Sequence, residues 1–239
     1  MELKDMIARR KSVRKYTSQP VDGKTLEAIA QFAAGMKPLY PHIRVAHKLV
    51  TKEQVRFYLP WKTPQLLAIY SETQEGYLEN VGFLYQQMDL YLQSLGLGSC
   101  WMGLGKVRGD EGLDGMEFVI LLAFGHTQDT FRDGAADFKR EPLAKIADRE
   151  DPALEPARLA PSSVNSQPWF FTHEDGAIHA FCSKRGVLRN PTLGAMNRID
   201  MGIALAHLYV CNRDRFRFFR QEAVACPEGY GYIGSFHLR

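Results

Sequence analysis

The chain has 239 residues, 45% of them hydrophobic and 24% charged, enough to bury a sizeable core and unlike a disordered segment. Thirty Lys and Arg against 27 Asp and Glu leave a net charge of +3, too balanced to argue for nucleic acid, although local clusters still suit a phosphate. The four cysteines (Cys100, Cys182, Cys211, Cys226) are scattered, and no stretch resembles a secretion signal or a bilayer span, so a reducing cytoplasm is expected.

In chain order, Leu3, Met6 and Ile7 follow helical spacing and predict a short first helix running into the basic cluster Arg9-Arg10-Lys11. Asp22 precedes a second helical pattern, Leu26, Ile29, Ala30 and Ala33, stopped by Gly35. Residues 43–50 and 66–70 are rich in apolar and β-branched side chains and predict strands. A long helix over residues 75–95 carries Leu78, Val81, Leu84, Tyr85 and Met88 on one stripe and ends at Gly96-Leu-Gly98. Strands follow at 99–102 and 117–124, and 126–152 reads as a polar connector. A short helix (152–159), strands at 169–173 and 178–182, a helix (196–210) and strands at 216–219 and 230–237 complete the chain.

The first part thus reads helix, helix, strand, strand, long helix, strand, strand, and the remainder helix, loop, strand, strand, helix, strand, strand. This predicts a diverged internal duplication. Laying Pro41 on Pro168, an offset of 127, places Phe32-Ala-Ala-Gly-Met-Lys-Pro-Leu-Tyr-Pro-His-Ile43 on Leu159-Ala-Pro-Ser-Ser-Val-Asn-Ser-Gln-Pro-Trp-Phe170.

Three stretches carry candidate chemistry. In an extended Arg10-Lys-Ser-Val-Arg14, Arg10, Ser12 and Arg14 share one side, and two guanidiniums with a hydroxyl suit a phosphate. A solvated basic helix end is the alternative, and the residues alone leave both open. Lys139-Arg140, before Pro142, is a second basic pair with the same two readings. Residues 95–105 hold glycines at 96, 98, 103 and 105. Val107 excludes a P-loop, and the segment closes a helix instead of opening one as a dinucleotide fingerprint does. Helix termination accounts for Gly96 and Gly98, leaving Gly103 and Gly105 for close backbone approach to a flat ligand. Ala160-Pro-Ser-Ser-Val-Asn-Ser-Gln-Pro-Trp169 is pinned by prolines and offers uncharged donors and acceptors, fit for a bland polar loop or for a neutral planar ligand edge. The seven histidines show no metal spacing and no nucleophile elbow is present, so neither metal nor hydrolytic chemistry is expected.

In combination, Arg10-Lys-Ser-Val-Arg-Lys-Tyr16, Leu95–Gly103 and Ala160–Trp169 resemble the FMN-dependent nitroreductase (flavin reductase) family. Phe124-Gly-His126 and Phe138-Lys-Arg-Glu-Pro-Leu143 add weaker support. In that family the proline–serine loop ordinarily follows the basic motif by about thirty residues, and two flavin sites form at a homodimer interface. Here the early position, Ala33–His42, lacks the serines, asparagine and glutamine, and the intact loop comes in the second half. Residues 144–151 in turn lack R-x-S-x-R. The chain therefore resembles a subgroup of nitroreductases in which one chain folds like the family's dimer, keeping one flavin site.

The resemblance implies an α+β nitroreductase-like fold with helices around antiparallel or mixed sheet. Two pseudo-equivalent halves, 1–145 and 146–239, would form one compact unit for which a monomer suffices. It implies FMN held by Arg10 and Ser12 at the phosphate, with Lys139 and Arg140 adding charge. Arg14 would reach the ribityl chain or the pyrimidine edge. Pro161, Ser162, Ser163, Asn165 and Gln167 would contact the ring, with backbone near Gly103 approaching it. The implied reaction is ping-pong: NAD(P)H reduces the flavin, and a nitroaromatic or quinone takes the electrons. No catalytic side chain is named, because hydride chemistry belongs to the flavin. A flavin-binding sensor or carrier without turnover is the alternative from another class, and a degenerate paralogue that binds nothing is a third.

Overall fold

The computed structural model describes residues 2–56, 65–184 and 191–238. The helices are α1 (Leu3–Ile7), α2 (Gly23–Gly35), α3 (Tyr77–Ser94), α4 (Leu143–Ile146), α5 (Glu155–Arg158) and α6 (Pro191–Cys211). The strands are β1 (Val45–Thr51), β2 (Val55–Arg56), β3 (Gln65–Ser71), β4 (Gly98–Met102) and β5 (Lys106–Val107). They continue with β6 (Glu117–Gly125), β7 (Trp169–Glu174), β8 (Ala177–Ser183), β9 (Arg217–Phe219) and β10 (Tyr230–His237). Local chemistry sets several boundaries. The Asp22 carboxylate caps α2 by accepting from Thr25 N at 3.0 Å. Gly96, at φ +81°, ends α3, with Leu97 N returning to Leu92 O. Asp175 and Gly176, at φ +49° and +77°, form the two-residue turn between β7 and β8.

Two four-stranded antiparallel sheets dominate, ordered β1-β3-β6-β4 and β7-β8-β10-β9. Counting long strands within each half, both orders read first-second-fourth-third, with α3 or α6 between second and third. The duplication expected from the sequence is therefore present in the fold. The offset of 127 at the prolines falls to 120 between Gly82 and Gly202. It shrinks chiefly because residues 52–64 separate β1 from β3, whereas two residues join β7 to β8.

The central helices α3 and α6 pack along one another. A Cβ at Gly82 would overlap the Ile199 carbonyl, and one at Gly202 would overlap the Glu79 carbonyl. Residues 79 and 199 are again 120 apart, so the contact is reciprocal, as across a twofold axis. One apolar core runs through both halves, from Ile69, Leu84 and Leu122 to Phe171, Leu205 and Phe236.

Two short crossings fix the ends of the first half. Ser12 forms a parallel bridge with Ser99 beside β4, and Ala147 forms one with Phe171 on β7. The chain leaving the first half thus joins the second half's sheet edge. The polar connector of the sequence reading contains α4 and a short 3-10 turn at Ala135–Asp137. The small β2–β5 pair has no counterpart in the sequence expectations, since two-residue strands carry no periodicity.

Candidate functional site

The segment after α1 runs extended past β4, with Val13 N donating to Ser99 O at 2.9 Å. Alternate side chains of an extended segment share a face. Arg10, Ser12 and Arg14 accordingly line one cavity of about 550 Å³. Lys139 and Arg140 line it too, with Lys11 of the basic cluster, and Arg132 adds a cation that the sequence reading did not single out. Asp137 also lines it, with its Oδ2 accepting from the backbone of Asp133 and Gly134 at 2.9 and 3.4 Å.

Arg10 is held from behind. It is only 1% exposed, and its Nε donates to Asp89 Oδ2 at 2.9 Å. Asp89, wholly buried, also accepts from Ser99 Oγ at 2.6 Å and Gln86 Nε2 at 3.0 Å. These donors satisfy the buried carboxylate's oxygens. Arg10 Nη2 reaches Ser12 Oγ at 3.4 Å, and the Ser12 hydroxyl also lies beside the Cys100 thiol. Arg132 donates to the Arg10 carbonyl and, like Arg140, lies over the Phe138 ring. Burial, with Arg10, Arg132 and Arg158 nearby, pushes Arg140 down to about 10. Arg132 is lowered by burial and by Arg10. This is crowded positive charge, the setting an anion relieves.

A second cavity, about 270 Å³, adjoins the first and shares Ser12, Arg14, Pro161, Ser162 and Val164 with it. Its walls are mostly apolar: Trp101, Gly103, Leu104 and Ile120 from the first half, Met196, Ile199 and Ile203 from α6. The pair forms one cleft with a basic chamber and an apolar chamber between the halves. At Gly103 an added Cβ would come within 2.7 Å of Met196 Sδ, so the glycine lets Met196 line the chamber. Gly98, assigned to helix termination by the sequence, instead lies in β4, where Val13 fills the space a Cβ would take.

The proline–serine loop lies across the shared wall in a strained shape. Val164, Asn165 and Gln167 have φ of +48°, +58° and +46°, a region that disfavours residues with a Cβ. Polar contacts hold it there. Asn165 Oδ1 accepts from Arg140 Nη1 at 2.6 Å, and its Nδ2 donates to Lys139 O at 3.1 Å. Gln167 Oε1 accepts from Glu141 N at 2.8 Å, and Ser162 Oγ accepts from Gln167 N at 2.9 Å. Asn165 lines the basic chamber, whereas Gln167 serves to tie the loop to residue 141. Val164, 87% exposed, and Leu104, 59% exposed, both line the apolar chamber.

Asp200 of α6 is the residue the sequence reading missed. Its Oδ2 accepts from Ser163 N at 2.9 Å, it is 4% exposed, and it lines the apolar chamber. Burial raises its carboxyl to about 8, the Ser163 amide opposing part of that rise. Its signal was visible: an acid inside the apolar helical run Ile199–Leu208. Behind the chamber, Trp101 Nε1 donates to Gln86 Oε1 at 3.0 Å. Gln86 Nε2 lies 3.0 Å from His207 Nε2, and His207 Nδ1 lies 2.9 Å from Pro156 O. An amide donor on Nε2 and a carbonyl on Nδ1 place the His207 proton on Nδ1. Burial pushes His207 down to about 3.

The equivalent place in the other half is filled. Asn80, the counterpart of Asp200 by the offset of 120, accepts from Leu39 N and Tyr40 N, each at 2.9 Å. The Tyr40 ring then packs edge-on against Phe218 at 5.4 Å, and a Cβ at Gly76 would lie 2.6 Å from it. A separate cleft of about 420 Å³ beside His173 and Arg215 contains none of the motif residues.

A family model described as "Putative TM nitroreductase" matches residues 2–212. The crystal structure of a "putative nitroreductase" from Thermotoga maritima MSB8 is 18% identical, with a TM-score of 0.68, over 99% of this chain and 92% of that one. An FMN-dependent nitroreductase from Clostridium difficile R20291 is 20% identical over 57% of this chain and 92% of that one, at a TM-score of 0.41. Nitroreductase A from Vibrio parahaemolyticus is 19% identical over 61% and 74%, at 0.44. A search of curated proteins finds no match.

Proposed function

The chain belongs to the nitroreductase family whose model spans residues 2–212, and from that membership we propose an FMN-dependent oxidoreductase that uses NAD(P)H to reduce nitroaromatics or quinones. The observation that carries this reading is the cleft itself, a basic chamber joined to an apolar one through Ser12, Arg14, Pro161, Ser162 and Val164. A flat uncharged ring linked to a phosphate has two ends of those kinds. The crowding that lowers Arg140 is relieved by a dianion, so the residues present fit the group.

In this reading Lys139, Arg140 and Ser12 hold the phosphate, and Arg14 spans the chambers. Arg10 fixes Ser12 and adds charge from a position set by Asp89. Pro161, Ser162 and Ser163 offer backbone and hydroxyl groups to the ring edge, with Gly103 and Met196 on the opposite wall. Asn165 and Gln167 act by holding the strained loop to residues 139–141. Bound there, the flavin supplies the hydride chemistry. Val164 and Leu104 give the mouth an apolar rim suited to a flat acceptor. The halves we assign are 1–145 and 146–239, with one flavin between them in a monomer. Among the described residues no helix is long and apolar enough to cross a membrane. The four scattered cysteines are the reason we propose a reducing cytoplasm.

An absorption spectrum before and after anaerobic NAD(P)H tests the proposal. Flavin bands that bleach on addition support it. Bands that persist would leave a flavin carrier, and a colourless protein in saturating FMN would contradict it.

A further inference from the structure

The task of Asp200 as a structural residue is to accept the amide of the proline–serine loop. In the other half the same task is done by Asn80, which accepts the amides of Leu39 and Tyr40. An amide side chain therefore suffices to hold such a loop. The two positions differ in what they face: Asn80 backs a place filled by Tyr40, whereas Asp200 lines the open apolar chamber. Of the two positions, the acid is the one that faces the cavity.

We propose that Asp200 is a neutral carboxylic acid that donates a hydrogen bond to an acceptor atom on the ring of the flavin bound in this chamber. This rests on the flavin reading above. Its geometry follows from the loop: with Oδ2 accepting from Ser163 N, the proton belongs on Oδ1.

The surroundings supply little to ionise it. From the N-terminal segment comes Arg14, which lines both chambers, and from β4 the Cys100 thiol, raised by burial. From α3 comes Glu79, already paired with Arg198 at 2.6 Å. From β8 comes Cys182, which burial and the neighbouring acids push up to about 12. The loop contributes neutral Ser162 and Ser163. Burial dominates, and the acid holds its proton to about pH 8.

The consequence is a pH dependence of flavin binding that is independent of the phosphate. Ionised, Asp200 loses its donor and sets a buried negative charge against the ring. The test is fluorescence titration of the full-length protein with FMN and with riboflavin between pH 6.5 and 9.5, in wild type and Asp200→Asn. Asparagine keeps the acceptor for Ser163 N, as Asn80 does, and keeps a donor at every pH. Wild type should bind both flavins about tenfold or more weakly at pH 9.5 than at pH 7, a 1.4 kcal/mol change. The variant should change less than about threefold over that range by the same arithmetic. Parallel profiles in the two proteins would overturn the assignment while leaving flavin binding intact. Failure of FMN to bind wild type at pH 7 would instead remove the flavin reading and this role with it. Should the variant not fold, infrared spectroscopy of wild type decides: a protonated-carboxyl band present at pH 7 and lost by pH 9.5 supports the role, and its absence at pH 7 overturns it.

Discussion

Gly82 of α3 and Gly202 of α6 each make room for a backbone carbonyl of the facing helix, Ile199 for the first and Glu79 for the second. The contact sits where the pseudo-equivalent halves meet, so helix separation there shifts both halves and the cleft between them. Gly82→Ala and Gly202→Ala should each destabilise the protein by about 1–3 kcal/mol or more, because a backbone atom cannot rotate away. The double variant should cost less than the sum, since either methyl already separates the helices. Urea denaturation of the three variants measures both effects.

The Arg10–Asp89 pair is buried on both sides. Removing one member leaves the other as an uncompensated charge, so Asp89→Ala should lose about 3–5 kcal/mol of stability. Arg10→Ala should lose a similar amount by exposing Asp89 to the same fate. Arg10 is therefore a poor probe of phosphate binding on its own. Denaturation midpoints of Asp89→Ala, Arg10→Ala and a double Arg10→Met, Asp89→Leu variant check this. The double variant should be closer to wild type than either single one.

Two buried groups give opposite pH dependences. The folded state lowers His207 from 6.5 to about 3, so only the unfolded chain takes up this proton between those values. Stability is present above pH 6.5 and lost as pH falls toward 3. The folded state raises Asp200 to about 8, so there the folded chain holds a proton that the unfolded chain has released. That contribution is complete below about pH 4 and is lost as pH rises through 8. Asp200→Asn should thus gain stability relative to wild type as pH rises from 5 to 9, and His207→Gln as pH falls from 6.5 to 4. Melting temperatures across pH for the three proteins test both signs.

One flavin per chain is expected. Tyr40 and Phe218 fill the place equivalent to the apolar chamber, and residues 144–151 offer no R-x-S-x-R there. Heat-released flavin should approach one per chain, and Tyr40→Ala should not raise it, since a hole without the basic chamber lacks the phosphate grip. A ratio near two would contradict this.

Much of this was legible in the sequence. The long helices and core strands carry strong periodicity or long apolar runs, so their positions fall within a few residues of the observed bounds, apart from the start of α6 at Pro191. Arg10, Ser12 and Arg14 were found to share a side because period-two geometry is local. Arg132 was not found: it reaches the chamber from a connector through its bond to the Arg10 carbonyl, a contact between positions 122 apart. The tether from Gln167 to Glu141 N likewise depends on how the loop folds back. Asp200 had a local signal, but only the filled counterpart at Asn80 shows what the acid adds.

The central claim is that the basic chamber holds the phosphate of a flavin whose ring lies in the apolar one. Lys139 tests it most directly: exposed on the basic chamber, it holds Asn165 through its backbone carbonyl, which substitution of the side chain leaves in place. A charge-assisted hydrogen bond contributes about 1.5–3 kcal/mol, so Lys139→Ala should weaken FMN about tenfold to a hundredfold. Riboflavin, which lacks the phosphate, should bind wild type and variant within about twofold of each other by the same scale. Equal weakening of both ligands, or no weakening of FMN, would contradict the account.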